Sequence, residues 1–347
     1  MRKFLVIRLS ALGDVAISVP LIHALALQYP DCEFTVVSQP RMVDLFSECP
    51  LNVKFFASDI YGKHKGIFGL FRLFLELKPK TFDAVCDLHD VFRTNLLCLY
   101  FRLINKPVYN IEKQRKAKRL LTRRKDKNLK QLNTSFQQYQ SVFEKVGLTL
   151  KSFNFNPKLK PSEEYLSIYE SIYGKKNEFW LGFAPFAKHA GKIYPLEKSE
   201  IILASFAANP NFKLFVFGGG AMEREKINSW KEKYPSIQIP TQLSLIEEIH
   251  LMKCLDLMVA MDSANMHLGS LAQIPVVSIW GATHPFAGFY GLFQSKHNAI
   301  QQNLTCRPCS VFGNKPCYRG DYACLNSIDP VSIIDHIYKE LAYEEAT

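Results

Sequence analysis

Short all-apolar runs, each closed by a turn and followed by apolar residues at helical spacing, recur along the whole chain. In the first half Lys3–Arg8 (KFLVIR), Phe34–Val37, Val53–Phe56 and Thr81–His89 read as strands. In the second half Glu178–Phe183 (EFWLGF), Phe212–Phe217, Ile237–Ile239, Leu257–Ala260 and Val276–Trp280 do the same. Runs apolar on both faces suit strands buried between helices, and their alternation with helical stretches predicts parallel, doubly wound sheets. The segment Asn154–Pro161, with two prolines, reads as the linker. It divides the chain into residues 1–155 and 156–347, each a Rossmann-like α/β domain, with Val331–Leu341 as a closing helix.

One helical stretch departs from the ordinary pattern. Lys65–Lys78 (KGIFGLFRLFLELK) carries Ile67, Leu70, Phe71 and Phe74 on one row and Phe68, Leu73 and Leu75 beside it, too wide an apolar arc for a plain surface helix. Packing on a sheet with a second neighbour alongside is favoured over a face left for a membrane. No apolar run reaches the roughly 18 residues a spanning helix needs, and the longest are broken by Arg72 and Arg102. The basic, apolar N-terminus is interrupted by Arg8 and lacks a small-residue cleavage site, so it reads as a strand of a cytoplasmic protein.

Composition adds a marked asymmetry to this picture. The chain carries a net charge of +11 over 347 residues. Residues 1–155 hold 25 Lys and Arg against 13 Asp and Glu, while the remainder holds 18 against 19. Ten of the cations fall between Lys113 and Lys130, among them Arg119, Arg123 and Arg124. Such a run is ordinarily a solvated segment, but it also suits phosphates on a lipid or sugar. Nucleic acid is disfavoured, because no aromatic residue lies in the run to stack on bases and no nucleic-acid-binding motif accompanies it.

The densest polar chemistry lies in LDLMVAMDSANMHLGSLAQIPVVSIWGATHP, Leu255–Pro285, which reads as strand, turn, helix and strand. Asp262, Ser263 and Asn265 stand at the turn, with His267 inside the following helix, where unpaired backbone N–H groups and the helix dipole favour an anion. Each of the three could equally be a plain helix cap. Near the N-terminus, Ser10 and Asp14 flank a glycine-bearing turn between strand and helix; Gly13 alone does not make the three-glycine dinucleotide fingerprint. A triple glycine, Gly218–Gly220, precedes Glu223 without the Gly-Lys-Ser/Thr of a phosphate loop. Of nine cysteines, Cys306, Cys309, Cys317 and Cys324 cluster in sequence; a zinc site, a reversible disulfide and free thiols all remain open, each with a structural role.

These segments resemble glycosyltransferase family 9, the lipopolysaccharide heptosyltransferases. Asp262-Ser263-Ala264-Asn265-Met266-His267 followed by Gly281-Ala282-Thr283-His284-Pro285 is similar to the family's nucleotide-sugar signature, with Ala264 in place of the usual glycine. Asp83, Asp87, Leu88 and Arg93 resemble a second family segment, in which the basic residue faces the acceptor. The resemblance implies a GT-B architecture with a cleft between two Rossmann-like domains. It also implies an inverting enzyme that needs neither cofactor nor metal, and no Asp-x-Asp motif is present.

The same resemblance assigns roles. Asp14 falls where the family has its catalytic base, and Lys192, in APFAKHAGKIYP, where a lysine binds the donor diphosphate. Lys188 and His189 would share that edge, and Phe186 replaces the usual glycine after Pro185. Glu223 corresponds to the acid on the nucleotide ribose, and Leu243 and Leu245 to the residues around the adenine. Donor contacts are thus expected from Lys192, Glu223, Leu243, Asp262, Ser263, Ala264, Asn265 and His267, and acceptor contacts from Ser10, Arg93, Arg119, Arg123 and Arg124. The expected partners are an ADP-heptose-like donor and an anionic glycolipid, met in peripheral contact with the inner face of the inner membrane. Two other classes compete: a sugar-nucleotide-binding protein whose site is degenerate at Ala264 and Phe186, and an NAD-dependent oxidoreductase, disfavoured by the missing glycine fingerprint.

Overall fold

The computed structural model describes residues 1–153 and 163–342; the expected linker, residues 154–161, lies outside them. The chain divides into two compact units, one made of residues 1–114 and 133–155, the other of 115–132 and 156–347.

In the first unit β1 (Arg2–Ile7), α1 (Leu12–Gln28), β2 (Cys32–Ser38), β3 (Val53–Ala57), α2 (Gly66–Leu77), β4 (Ala84–Asp87), α3 (Phe92–Leu103) and β5 (Val108–Asn110) follow one another. The strands form a parallel sheet of order β3-β2-β1-β4-β5. Leu5, Val6 and Ile7 in β1 are fully buried because the sheet is covered on both faces. Parallel register sets Ile7 beside Val37 and Asp87, so the turns after β1 and β4 emerge together at one edge. Strand order reverses between these two strands, and it is at such a switch point that doubly wound sheets bind ligands.

After β5, α4 (Arg115–Thr122) belongs to the second unit and α5 (Ser135–Lys145) returns to the first. The second unit continues through α6 (Glu163–Tyr173), β6 (Phe179–Ala184), α7 (Leu196–Ala208), β7 (Phe212–Val216), α8 (Ala221–Lys233), α9 (Leu245–Met252), β8 (Leu257–Met261), α10 (Ala264–Leu271), β9 (Val276–Trp280), β10 (Ala299–Gln301), α11 (Ala323–Asn326) and α12 (Pro330–Glu340). Its sheet is again all parallel, ordered β10-β9-β8-β6-β7, with the reversal between β6 and β8.

Two expectations change. Ile237–Ile239 forms no strand, only a single parallel bridge from Gln238 to Phe215. The basic run does not belong wholly to the first unit: Lys113 stays with it, but α4 and the strap after it are held by the second unit. Leu132 N donates to Phe286 O (3.0 Å) and Lys127 Nζ to Pro308 O (2.7 Å), while Lys118 and Arg124 lie over the rings of Phe289 and Tyr318. Counted by structural unit, the second carries 27 basic against 20 acidic residues and the first 16 against 12, so both units are basic and the larger excess lies in the second. Among the described residues no helix is long and apolar enough to cross a membrane.

Candidate active site

The second unit gathers its site at the reversal between β6 and β8. Asp262 follows β8 directly, and its backbone N–H still pairs with Ile279 O, which fixes the carboxylate at the sheet edge. Oδ2 receives Lys192 Nζ at 2.9 Å and Thr283 Oγ1 at 2.6 Å, Lys192 arriving from the loop after β6 and Thr283 from the loop after β9. Asp262 and Thr283 are buried, whereas the Lys192 side chain stays partly open. A buried carboxylate is tolerable only when paired in this way.

The loops around this pair are set by close backbone contacts. Ala282 N donates to Gly191 O at 2.8 Å, and a Cβ on Gly281 would lie 2.5 Å from the same oxygen. Gly313, at φ +73°, lets the Lys192 stem pass where a side chain would sit 2.6 Å from its Cγ. Arg307 is buried beneath, donating to Gly281 O and Thr283 O. Burial lowers its pKa to about 10, which still leaves it cationic at neutral pH.

Behind Asp262, α10 begins with Ser263 as an extended N-cap, φ −140°, and no side chain caps the helix. Ser263 Oγ is enclosed without a hydrogen-bond partner among the described residues. The reading of Ser263 as a plain cap is therefore not realised. Ala264 is the first helical residue, so the position has no left-handed backbone for a glycine to relieve. Asn265 and His267 fall inside the helix, His267 buried. Phe186 is equally explained: it is buried and stacks on Trp230, its ring centroid 6.1 Å away.

Glu223 lies on the same carboxyl edge, beyond β7. Its Oε2 accepts from Gly219 N at 2.8 Å and Gly220 N at 3.2 Å, closing the turn into α8. Leu243 is half-buried in the loop before α9, and Leu245 starts that helix. Lys188 is exposed and His189 half-buried; burial and then Lys188 and Lys192 lower the His189 pKa.

The first unit assembles a second cluster at its own reversal. Arg8, one residue beyond β1, is buried; it donates from Nη1 to Leu88 O at 2.7 Å and pairs through Nη2 with Asp14 Oδ2 at 2.6 Å. Its guanidinium also lies 5.6 Å from the Tyr139 ring centroid, and Tyr139 Oη donates to Asp14 O. Burial, the largest single effect, opposes the Arg8 charge, but Asp14, Tyr139 and Asp87 together outweigh it and raise the Arg8 pKa. Asp14, in the first turn of α1, keeps 29% of its side chain exposed. Ser10 is half-buried in the same turn.

His89 enters beside them from β4. Burial, then Arg8 and Lys113, push its pKa down to about 3, so the imidazole is neutral at physiological pH. Arg93 is exposed at the start of α3, 5.8 Å over the Tyr61 ring, while Lys113 Nζ holds Asp90 O. Arg119, Arg123 and Arg124 are exposed too, but on α4 and its strap, which belong to the second unit, whereas Arg93 belongs to the first. Arg123 bonds Asp126 O within the strap.

Arg8, Tyr139, His89, Thr283 and Arg307 were not singled out as site residues by sequence. Arg8 had a signal, as the charge that breaks the apolar run Phe4–Ile7 before the run resumes at Leu9. Cys306, Cys309, Cys317 and Cys324 are free thiols, and among the described residues no cluster of three His, Cys, Asp or Glu is placed to hold a metal ion.

A family model for glycosyltransferase family 9 (heptosyltransferase) matches residues 70–317, which take in the whole second sheet with the Lys192–Asp262 pair and, of the first sheet, β4 and β5; Arg8 and Asp14 precede the matched residues. The chain belongs to this family. A similar protein is lipopolysaccharide heptosyltransferase 1 of Campylobacter coli, 25% identical over 99% of this chain and all of that one. Among solved structures, a family 9 glycosyl transferase of Veillonella parvula superposes with a TM-score of 0.75, 20% identity, and coverage of 99% of this chain and 98% of that one. Escherichia coli ADP-heptose lps heptosyltransferase II gives 0.67, 19%, 99% and 100%. The fold is thus GT-B, two parallel-sheet α/β units, and the chain is a glycosyltransferase.

Proposed function

We propose that this family 9 enzyme transfers a heptose, or a closely similar sugar, from an ADP-heptose-like donor to the inner core of lipopolysaccharide, with inversion and without a metal. The observation that carries this reading is Lys192 held over Asp262 at 2.9 Å, beside the uncapped N-terminus of α10. A cation and a set of free amides converge where a departing diphosphate needs charge neutralised, a task other enzymes give to Mg²⁺. Glu223 uses Oε2 for the glycine turn and offers Oε1 to a ribose hydroxyl; Leu243 lines the base. Ser263, Asn265 and His267 complete the donor edge.

Asp14 acts as the general base. Its carboxylate is held by Arg8 at 2.6 Å, and its exposed part meets the acceptor hydroxyl and takes its proton as the oxygen attacks the anomeric carbon opposite the diphosphate. Ser10 and Arg93 orient the acceptor, with Arg119, Arg123 and Arg124 reaching its phosphates. The acceptor is an anionic glycolipid, which places the enzyme at the inner face of the inner membrane in peripheral contact.

The test is a panel of nucleotide sugars offered with a phosphorylated inner-core acceptor in the presence of EDTA, scored for the nucleoside diphosphate released and the anomeric configuration of the product. ADP release with inverted configuration is expected. Release from no donor refutes the transferase assignment, and activity lost to EDTA but restored by Mg²⁺ refutes the metal-free mechanism.

A further inference from the structure

The stretch Lys65–Lys78 was expected to be covered by neighbours, and only half of it is. Leu70, Leu73, Phe74 and Leu77 of α2 are buried in the first unit's core, but Phe68 is 90% exposed and Ile67, Phe71 and Leu75 between 45 and 57%. Beside it α3 shows the same division: Leu97, Cys98 and Phe101 point inward, while Phe92, Leu99 and Leu103 are 75, 47 and 72% exposed. Phe71 packs edge-on against Tyr100 at 5.4 Å, which joins the two exposed stripes into one surface.

Isolated exposed apolar residues need no explanation, but a contiguous surface spread over two helices does. Its charge is one-sided. Residues 66–80 and 92–103 hold Arg72, Lys78, Lys80, Arg93 and Arg102 against the single acid Glu76. That acid is already paired with Lys63 at 2.6 Å and with Arg72 at 3.3 Å. Arg72 stands between Phe68 and Leu75 in the helical repeat, where a long stem can lie along the apolar stripe and carry its guanidinium outward.

We propose that this α2–α3 face seats the enzyme on an anionic lipid bilayer, with Phe68, Phe71, Leu75, Leu99 and Leu103 in the headgroup region and Arg72, Lys78 and Arg102 among the lipid phosphates. Apolar insertion combined with cationic attraction is the chemistry of an interfacial helix. The role assigned to this face rests on the reading that the acceptor is a membrane glycolipid, but the binding itself can be measured without turnover.

The full chain is sedimented with vesicles of phosphatidylcholine alone and with vesicles containing phosphatidylglycerol. Native protein should pellet with the second. Phe68→Glu with Leu75→Glu, and separately Leu99→Glu with Leu103→Glu, should reduce that partition about tenfold or more, since a carboxylate must then enter an anionic interface. Melting temperature and turnover of a delipidated, water-soluble acceptor should be unchanged. Native-like vesicle binding by both variants overturns the proposal. So does failure of the native chain to bind, or a native dimer that the substitutions dissociate, which would show a second copy of the chain on this face. Vesicle binding lost as expected from an enzyme that releases no nucleoside diphosphate would leave the docking surface standing and refute the transfer reaction alone.

Discussion

The two units place the same kind of pair at the same point of the same kind of sheet, yet with the roles of the partners exchanged. In the first, the cation Arg8 is buried and fixed to Leu88 O, while the acid Asp14 keeps 29% of its side chain open. In the second, the acid Asp262 is buried and fixed by Thr283, with 4% of its side chain open, while the cation Lys192 keeps 17%. The buried member of each pair stabilises and aims the other. An exposed carboxylate suits removal of a proton, and an exposed ammonium suits a departing diphosphate, so the division of chemistry proposed above matches which partner the sheet encloses.

The sharpest way to break this comparison is Asp14→Asn. The amide keeps the shape but cannot take a proton, and loss of a general base costs about 10² to 10⁴-fold in turnover. Donor affinity should be nearly unchanged, because the donor edge is assembled from the second unit. Steady-state kinetics beside equilibrium titration with ADP separates the two quantities; near-native turnover would end the assignment. A weaker ADP complex would show that Asp14 acts on the donor instead.

Next in size is Lys192→Ala, which should weaken ADP binding and turnover together by about 10- to 100-fold, the value of one hydrogen bond to a charged group. Asp262→Asn is its partner experiment. If Asp262 only aims the lysine, the neutral amide still accepts from Thr283 and ADP binding should fall much less. Equal losses from the two substitutions, read by calorimetric titration with ADP, would make Asp262 a direct ligand and spoil the symmetry with Arg8.

The doubly wound halves and the carboxyl-edge turns were legible because buried parallel strands leave continuous apolar runs; Asp262 stands directly after one of them and Asp14 in the first helical turn after another. Arg8 was legible only as an interruption, since nothing in β1 announces that its guanidinium reaches Leu88 O and Asp14. Thr283 reaches Asp262, and Arg307 reaches Thr283 O, through folded loops, and such long-range pairings leave no periodic signal. Ala264 and Phe186 looked like defects because a single residue type does not reveal its backbone angle or its neighbours. The structure gives Ala264 a helical position and Phe186 the face of Trp230. The basic run misled through sequence order alone: its chain neighbours lie in the first unit, but its hydrogen bonds run to Phe286 and Pro308.

That relocation sets the third prediction. Replacing Arg119, Arg123 and Arg124 together with Gln should raise the acceptor KM several-fold, since each basic residue close to an anionic surface contributes about 1 kcal/mol and only some approach at once. The difference from the native enzyme should shrink at high salt, where the Debye length falls to about 3 Å. Lys127→Gln is expected to differ in kind. Lys127 Nζ binds Pro308 O, and the next residue, Cys309, donates to Ala282 O in the donor loop, so donor affinity should also drop. Unchanged ADP binding by Lys127→Gln would return the strap to the acceptor side alone.

The smallest effect concerns His89, the neutral member of the Asp14 cluster. Its pKa is pushed to about 3 by burial and then by Arg8 and Lys113, against an unfolded value of about 6.5. Between those two values the unfolded chain binds a proton that the native chain refuses. By linkage the stability this neutral imidazole allows is whole above about pH 6.5 and is lost progressively as pH falls toward about 3. His89→Gln removes the titration while retaining a polar side chain, so its melting temperature should fall less than that of the native enzyme between about pH 6.5 and 4. His284, pushed to about 4 by burial and then by Arg307, sits in the second unit and remains in the variant. Some acid sensitivity should therefore persist, carried by the unfolding of that unit. Thermal denaturation at a series of pH values checks this, and parallel curves for the two proteins would mean that His89 carries its proton in the folded enzyme.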